Sequence, residues 1–342
     1  MEQQEPLLEV KDLKKYFPIS TGGGIFGGKK GFVKAVDGVN LQVQPGETLG
    51  VVGESGSGKT TLGRCITKLY EATGGEILLR TDHKVFSVTK IRGNDLKDFR
   101  RNAQTIFQDP YSSLNPRMTV LDTVGEPLLV NGIAHGRDLE DRVTEVVLQV
   151  GLRVEHLRRF PHSFSGGQRQ RIGIARALVV NPRLVVADEP VSALDVSIQA
   201  QILNLLQELQ DKYQLTYIFI SHAMSVIRYV SNRIAVMYAG RLVELGDKTE
   251  ILTHPLHPYT EVLLRSVPRF SERKILKRGV SHGEPPDLGN LPVGCVFVPR
   301  CPYATDACKE QVPELRKLSN GSFVACHRAE ELALKGIEGA GV

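Results

Sequence analysis

One short stretch, residues 53–60, constrains the fold of this chain more than any other part of its sequence. It reads Gly-Glu-Ser-Gly-Ser-Gly-Lys-Thr and matches the phosphate-binding loop pattern G-x-x-x-x-G-K-[ST] at every fixed position. Glycines let the backbone turn its N–H groups toward an anion, and a helix that follows presents its positive end to the same anion. The apolar run at 49–53 predicts a buried strand before the loop, and the apolar spacing of 59–70 predicts a helix after it. This context indicates nucleotide binding.

The chemistry of phosphate transfer assigns roles to four residues in and beyond the loop. Lys59 is expected to reach the β and γ phosphates, and Thr60 to offer its hydroxyl to Mg²⁺. Asp188, at the end of the apolar run 183–188, is expected to hold the water shell of the Mg²⁺, and the adjacent Glu189 to polarise an attacking water. The loop residues predicted to bind the nucleotide are Gly53, Ser55, Gly56, Ser57, Gly58, Lys59, Thr60 and Thr61.

Composition excludes several other classes of protein. Hydrophobic residues make up 41% and charged residues 24% of the 342 positions, which is ordinary for a globular chain and excludes disordered and fibrous proteins. The formal net charge of +5 is spread along the chain and Trp is absent, so we expect no nucleic-acid partner. No apolar run approaches the length of a spanning helix, and the start lacks the features of a signal peptide, so we expect the chain in the cytosol.

The order of predicted elements indicates an α/β protein with an insertion and an extension. Strands at 183–188 and 216–221 flank a helix with apolar residues at helical spacing, which predicts a largely parallel, covered sheet. We predict a flexible Gly-rich loop at 20–31 and helices between about 110 and 165. The predicted domains are a core formed by 1–109 and 166–246, an inserted helical subdomain at 110–165 and a C-terminal extension at 247–342.

A second motif, Phe-Ser-Gly-Gly-Gln at 164–168, resembles the signature motif of ABC ATPases, whose common form begins with Leu. Ser165 predicts the cap of a helix whose start binds a second anion. The resemblance implies a P-loop NTPase fold of the ABC type, in which the signature of one subunit closes on the nucleotide of another. A homodimer and a heterodimer with a paralogous ATPase both remain open. The signature residues expected to contact the partner's ATP are Ser165, Gly166, Gly167 and Gln168.

Further motifs follow in the order of the same family. Gln108 resembles the glutamine that contacts Mg²⁺ and the attacking water, and His222 resembles the switch histidine that contacts the γ phosphate. Asp195 resembles the acidic residue of the loop that crosses the dimer interface, and Tyr16 resembles the aromatic residue that stacks on adenine. Ala223 stands where the family commonly has Asp. The missing carboxylate is expected to loosen the histidine loop and slow ATP turnover.

Three further stretches of the sequence indicate which group of ABC ATPases this chain resembles. The stretches FQDPYSSLNPRMTV, HPLHPYTEVLLRSVP and GCVFVPRCPYATDACKEQVPEL resemble the ATP-binding subunits of oligopeptide and dipeptide importers, and also of nickel importers. The resemblance implies ATP-driven import of di- and oligopeptides at the cytoplasmic face of the membrane. The implied partners are two integral membrane permease subunits, which contact the helical insertion, and, indirectly, an extracytoplasmic solute-binding protein.

Two alternatives remain open for that function. One is the same role for nickel or another small solute, and the other is a non-transport ABC ATPase with a metal-sensing tail. A translation-factor ATPase usually carries two ATP cores, whereas this chain has one P-loop and one signature. A DNA-repair ATPase would carry a long coiled coil, and no sustained heptads occur.

Four cysteines near the C-terminus form a candidate metal site. Cys295, Cys301, Cys308 and Cys326 follow the spacing C-x5-C-x6-C-x17-C. Thiolates in a cytosolic chain suit Zn²⁺ or an iron–sulfur cluster, and the resemblance to peptide importers, some of which carry a [4Fe–4S] cluster on such a tail, favours the cluster. A zinc site that includes His327, and free thiols, stay open. Cys65 is interpreted as a small buried hydrophobe.

Overall fold

A computed structural model of the chain describes residues 5–20, 30–265 and 286–337. The strands within these residues are β1 Leu8–Ser20, β2 Lys30–Val43, β3 Thr48–Val52, β4 Gly74–Arg80, β5 Val85–Ser87, β6 Ala103–Ile106, β7 Leu184–Asp188, β8 Thr216–Ser221, β9 Arg233–Tyr238, β10 Arg241–Asp247, β11 Arg316–Lys317 and β12 Phe323–Val324. The α-helices are α1 Lys59–Ile66, α2 Gly93–Asn102, α3 Val120–Asn131, α4 Gly136–Gln149, α5 Gly166–Leu178, α6 Val196–Tyr213, α7 Met224–Val230, α8 Lys248–Thr253, α9 Pro258–Arg265 and α10 Asp306–Glu310.

The chain divides into two compact units, each built from several segments. The first unit comprises Met1–Leu8, Val43–Glu47 and Leu78–Ile220, and the second comprises Glu9–Gln42, Thr48–Ile77 and Ser221–Val342. The boundaries of these two units differ from those of the three domains expected from the sequence. The three domains therefore stay a prediction. Within the described residues no helix is both long and apolar enough to cross a bilayer.

The first unit contains a parallel sheet in which β7 lies between β6 and β8. The residues of β7 and β8 are all buried, as expected for strands covered on both faces. These two strands confirm the predictions at 183–188 and 216–221, and α6 is the helix predicted between them. Helix α5 packs on β6 and on α6.

The segment predicted as a helical insertion contains α3 and α4, which contact each other and α5. Helix α3 begins at a capping box in which the hydroxyl of Thr119 accepts the N–H of Asp122. It ends at Gly132, whose φ of 65° suits a residue without a side chain. Two valines four positions apart on α4, Val143 and Val147, are fully buried, as expected for one face of a helix. The helical character predicted for this segment is confirmed.

The second unit contains a mixed sheet with the strand order β11-β12-β10-β9-β3. Strand β3 runs parallel to β9, and β9 forms a hairpin with β10 through Ala239 and Gly240, both at positive φ. Strand β12, from the C-terminal region, pairs antiparallel with β10 at Glu244 and Leu245. The predicted extension therefore adds strands to the sheet that holds β3.

The N-terminal part of the chain is also extended. Strands β1 and β2 are neighbours in one sheet. Most of the predicted Gly-rich loop at 20–31 lies outside the described residues.

Candidate nucleotide-binding and cysteine-lined sites

The phosphate-binding loop lies between β3 and α1 in the second unit, as the sequence predicts. Lys59 is 4% exposed, and its Nζ donates to the carbonyl oxygens of Gly53 at 2.7 Å and Glu54 at 2.8 Å. The ammonium group is thus hydrogen-bonded to the backbone of its own loop. Thr60 and Thr61, both partly exposed, lie in the first turn of α1.

Two glycines of the loop are required by its geometry. Gly56 and Gly58 have φ values of 80° and 102°, which disfavour any other residue. A Cβ added to Gly58 would lie 2.1 Å from the carbonyl oxygen of Ala35. Ser55, before the two glycines, is exposed, and Ser57, between them, is 5% exposed. The backbone path therefore explains the fixed glycine of the motif at Gly58 and, in addition, the glycine at its variable position 56.

The predicted Mg²⁺ and water-activating carboxylates lie at the end of β7 in the first unit. Asp188 is 5% exposed, and Glu189 follows it with a φ of 45°. A non-glycine residue at such a φ carries strain of about 1 kcal/mol, which is found most often at functional sites. The backbone N–H of Glu189 donates to the carbonyl of Ile220 at 2.9 Å, and the side chain of Gln108 donates to Glu189. The structure thus brings two of the predicted catalytic residues into contact.

The signature segment begins α5, as predicted. Ser165 is its N-cap, with its hydroxyl accepting the N–H of Gln168 at 3.4 Å and the side chain of Gln168 accepting the N–H of Ser165 at 3.1 Å. A Cβ on Gly167 would lie 2.6 Å from the side chain of Ile198, so a larger residue there would force that side chain to move. Ser165 is exposed, whereas Phe164 is 5% exposed and packs as an apolar residue.

Two further predicted residues lie at the starts of helices. Asp195 is the N-cap of α6 in the first unit, without a side-chain cap hydrogen bond. His222 is exposed in the second unit and directly follows β8. Ala223 is the N-cap of α7 and offers no side-chain acceptor to that helix. The backbone N–H of Ala223 instead donates to the hydroxyl of Ser221 at 3.0 Å.

Tyr16, the predicted adenine-stacking residue, is held by its hydroxyl. Its Oη donates to Asp37 at 2.5 Å, and Asp37 also accepts two hydrogen bonds from Arg241. Burial and the hydrogen bond to Asp37 raise the pKa of Tyr16 to about 12. Burial favours a higher pKa for Asp37, but the hydrogen bonds from Tyr16 and Arg241 outweigh it and lower that pKa. The orientation of the Tyr16 ring is therefore fixed.

The four C-terminal cysteines line one small cavity of the second unit, although up to 31 positions separate them in the chain. The cavity is lined by Cys295, Cys301, Cys308 and Cys326 together with His257, Phe297 and His327. All four are free thiols. Burial, and then the charges of the other three cysteines, raise the pKa of Cys326 to about 11. In the described residues no three His, Cys, Asp or Glu side chains are arranged to hold a metal ion.

One polar atom at this cavity lacks a partner among the described residues. His257 is 1% exposed, and its Nδ1 accepts the backbone N–H of Tyr259 at 3.0 Å. Burial lowers the pKa of His257 to about 3, so the ring is neutral and its proton is on Nε2. That Nε2 has no hydrogen-bond partner. The sequence offered one signal for this residue, its place in the stretch HPLHPYTE, but not its role.

A contact between the C-terminal region and the phosphate loop was also missed by the sequence interpretation. Arg300 donates two hydrogen bonds to the carboxylate of Glu54, at 2.7 and 2.8 Å. The two residues are 246 positions apart. No local pattern predicts such a pair.

Comparisons with known proteins agree with this site. Residues 36–192 match the family model described as ABC transporter, and residues 243–308 match the model described as oligopeptide/dipeptide transporter, C-terminal region. The chain is similar to the solved ATP-binding cassette MJ0796 in a dimeric post-hydrolysis state bound to ADP and Pi, with 29% identity and a TM-score of 0.60 over 70% of this chain and 98% of that one. The fold and the phosphate loop therefore define an ABC-type ATPase.

Full-length relatives identify the family more closely. The oligopeptide transport ATP-binding protein AppF of Bacillus subtilis (strain 168) is 52% identical over 95% of this chain and 98% of its own length. The dipeptide transport ATP-binding protein DppF of Haemophilus influenzae is 45% identical over 95% of this chain and 98% of its own. The chain belongs to the family of peptide-transport ATP-binding proteins of ABC transporters. In this family the ATPase dimerises and works with membrane permease partners.

Proposed function

We propose that this chain lies at the cytoplasmic face of the cell membrane, where it binds and hydrolyses ATP to energise the import of di- and oligopeptides. The similarity to peptide-transport ATPases over almost the whole chain carries the proposal, because it includes both the nucleotide-binding core and the cysteine-bearing tail. The same role for nickel is less favoured, since the relatives compared above are peptide or dipeptide transport proteins.

The proposed ATP site assigns a separate role to each of its residues. Lys59 and the phosphate loop hold the phosphates, and Tyr16 stacks on adenine. Glu189 and His222 position the attacking water. The proposed ligands of the Mg²⁺ shell are Thr60, Gln108 and Asp188. The proposed contacts to the nucleotide of a partner ATPase, identical or paralogous, are Ser165, Gly166, Gly167, Gln168 and Asp195.

The proposed domains assign a role to each part of the chain. Segments 1–109 and 166–246 form the ATP-binding core, segment 110–165 contacts two permease subunits, and segment 247–342 forms the extension. A solute-binding protein on the other face of the membrane acts through the permease. The mutual contacts of α3, α4 and α5 support the helical segment as a preformed docking element.

Reconstitution tests the transport function. The chain is assembled with two permease subunits in proteoliposomes and supplied with a solute-binding protein and a labelled dipeptide. We expect uptake that requires ATP, and no uptake with Lys59→Met. ATP-dependent uptake of Ni²⁺ but not of dipeptide would favour the nickel alternative, and ATP hydrolysis without uptake of either would contradict transport.

We further propose that the cysteine-lined cavity holds a [4Fe–4S] cluster. In a cubane cluster each thiolate binds its own iron, so four sulfurs need to surround a cavity but not to meet at one point. A single Zn²⁺ requires its ligands to converge within about 2.3 Å of one centre. The cavity lined by four free thiols suits the first arrangement.

The unpaired Nε2 of His257 also supports the cluster. A buried N–H without a partner costs about 1–3 kcal/mol, and His257 lines the cavity. A cluster would supply sulfur acceptors at the wall where this donor lies. Bound there, the cluster would supply redox chemistry or structural bracing, while Cys295, Cys301, Cys308 and Cys326 provide the thiolates.

Metal analysis of protein purified without oxygen tests this proposal. We expect about four irons and four sulfides per chain with a broad absorption band near about 400 nm. Cys301→Ser should lose the iron, whereas Cys65→Ser should keep it because Cys65 lies on α1. Stoichiometric zinc, or no metal, would contradict the cluster and leave the ATPase assignment standing.

A further inference from the structure

The C-terminal region holds the phosphate-binding loop at one residue, Glu54. Arg300 donates from Nη1 to Oε2 at 2.7 Å and from Nη2 to Oε1 at 2.8 Å, a bidentate pair. Tyr259 accepts the backbone N–H of Glu54 with its Oη at 2.8 Å. Glu54 occupies a variable position of the motif, yet both its side chain and its backbone are held from outside the loop.

Arg300 is also held by contacts other than its pair with Glu54. Its side chain is 8% exposed, and the guanidinium lies 5.7 Å from the ring centre of Tyr238 and 5.8 Å from that of Phe297. Those two rings contact each other edge to face. Because the Arg300 side chain is already buried beside these rings, forming its ion pair with Glu54 costs little side-chain freedom. Exposed ion pairs lack this advantage and contribute little to stability.

The contact matters for the lysine that binds phosphate. The carbonyl of Glu54 accepts from Nζ of Lys59 at 2.8 Å, so Glu54 supplies one of the contacts that position this ammonium group. The carboxylate of Glu54 also carries a negative charge in a loop built to bind anions. Without Arg300 this charge would repel a nucleotide phosphate.

The same short segment forms part of the cysteine-lined cavity. Arg300 ends the 3₁₀ turn Val298–Arg300, and Cys301 follows it directly. The turn is tied to the first cysteine, because the N–H of Val298 donates to the carbonyl of Cys295 at 3.0 Å. Phe297, whose ring centre lies 5.8 Å from the guanidinium of Arg300, lines the cavity as well. The turn therefore connects the wall of the cavity to the residue that pairs with Glu54.

We propose that Arg300 is a positioning residue for the phosphate loop, and that through it the occupancy of the cysteine-lined cavity sets the affinity for Mg-ATP. The first half stands on the Arg300–Glu54 contact alone, and the second half rests on the proposed cluster. Arg300 neutralises Glu54 and orients it, and an occupied cavity keeps the turn in the place that this contact requires.

The first experiment measures the Kd of the full-length chain for a fluorescent ATP analogue with Mg²⁺. We expect Arg300→Met to raise Kd at least tenfold and Arg300→Lys to raise it less, since lysine keeps the charge but not the fork. Adding Glu54→Gln to Arg300→Met should recover part of the loss, because the uncompensated carboxylate is gone. A merely structural role would not produce this recovery.

A matched control is Arg316→Met, which removes an exposed tail arginine paired with Glu330. It should leave Kd unchanged. A Kd for Arg300→Met within twofold of the parent, in folded protein by circular dichroism, would overturn the proposal. Where Arg300→Met does not fold, an unchanged Kd for Arg300→Lys would overturn it equally.

The second experiment compares Kd before and after removal of the cluster by a chelator and an oxidant. We expect removal to raise Kd in the parent chain and to change it little in Arg300→Met, because the connecting residue is absent there. Equal Kd values for loaded and stripped parent would overturn the second half, as would protein that holds no iron. Failure of peptide uptake would leave both affinity measurements intact, so the two proposals fail separately.

Discussion

Nε2 of Gln108 donates to Oε2 of Glu189 at 3.1 Å, across 81 positions of the chain. The register of two parallel strands explains the contact, because Ile106 of β6 pairs with Ala187 of β7. Gln108 and Glu189 each lie two residues beyond that pair. The two residues predicted to handle the attacking water thus meet at the carboxyl edge of the sheet.

The first prediction concerns this glutamate. Glu189→Gln is expected to bind Mg-ATP within a few-fold of the parent but to hydrolyse it at least about 100-fold more slowly, because a positioned base is worth about 10²–10⁴ in rate. Single-turnover phosphate release and nucleotide binding measure the two quantities. Glu208→Gln on the exposed side of α6 is the control. Unchanged turnover in Glu189→Gln would remove the role assigned to this residue.

The second prediction separates helix capping from phosphate contact at Ser165. Ser165→Ala and Thr119→Ala each remove the hydroxyl of a capping box, one on α5 and one on α3. Each is expected to destabilise its helix by about 1 kcal/mol, and only Ser165→Ala is expected to reduce ATP turnover as well. Thermal unfolding and steady-state ATPase assays on both variants provide the comparison. Equal turnover in both variants would argue against a signature role for Ser165.

The third prediction concerns the missing cap before α7. Ala223→Asp places an acceptor at an N-cap that lacks one. It is expected to stabilise the chain by about 1 kcal/mol and to raise ATP turnover by fixing the loop of His222. ATPase assays on Ala223→Asp and Ala223→Asn distinguish the cap from the charge. A stabilised variant with unchanged turnover would show that the histidine loop does not limit the rate.

The fourth prediction concerns the unpaired N–H of His257. In the proposed cluster, a hydrogen bond from this N–H to a cluster sulfur would stabilise the more negative reduced state and raise the reduction potential. We therefore expect His257→Phe to lower the midpoint potential, and His257→Gln, which keeps an N–H donor, to lower it less. Redox titration followed by absorption checks this on protein with equal iron content. Equal potentials in the parent and His257→Phe would exclude the hydrogen bond.

The fifth prediction uses a buried carboxyl outside both sites. Glu244 is fully buried and accepts hydrogen bonds from the backbone N–H of Leu256 and His257 and from Thr260. Burial outweighs these bonds and raises the pKa of Glu244 from 4.5 to about 7. Because the folded chain keeps this proton to higher pH than the unfolded chain, the contribution of Glu244 to stability is complete below about pH 4.5 and is lost as the pH rises through 7.

Glu244→Gln should therefore lose more stability relative to the parent at pH 5 than at pH 8, by up to roughly 3 kcal/mol in the difference. Thermal unfolding of both proteins at the two pH values measures this. Glu140→Gln, exposed on α4, is the control with no such dependence. A parent-to-variant difference that is the same at both pH values would contradict the raised pKa.

Local sequence patterns were sufficient to predict the strands, loops and helices that carry the motifs. Strand β3, the phosphate loop and α1 follow in the predicted order, and Ser165 caps α5 as predicted. Each of these depends on the conformation of neighbouring residues, on glycines at positive φ or on apolar spacing, and such features are written in a few consecutive positions.

Only the tertiary structure decided which distant residues meet. Three features depend on the path of the whole chain. Four thiols line one cavity, Nε2 of the cavity-lining His257 is unpaired, and Arg300 forms a bidentate pair with Glu54. The sequence determined that this chain binds a nucleotide through its loop. The fold determined that its C-terminal region reaches that loop, because contacts between distant positions arise from packing and strand register, which no local pattern encodes.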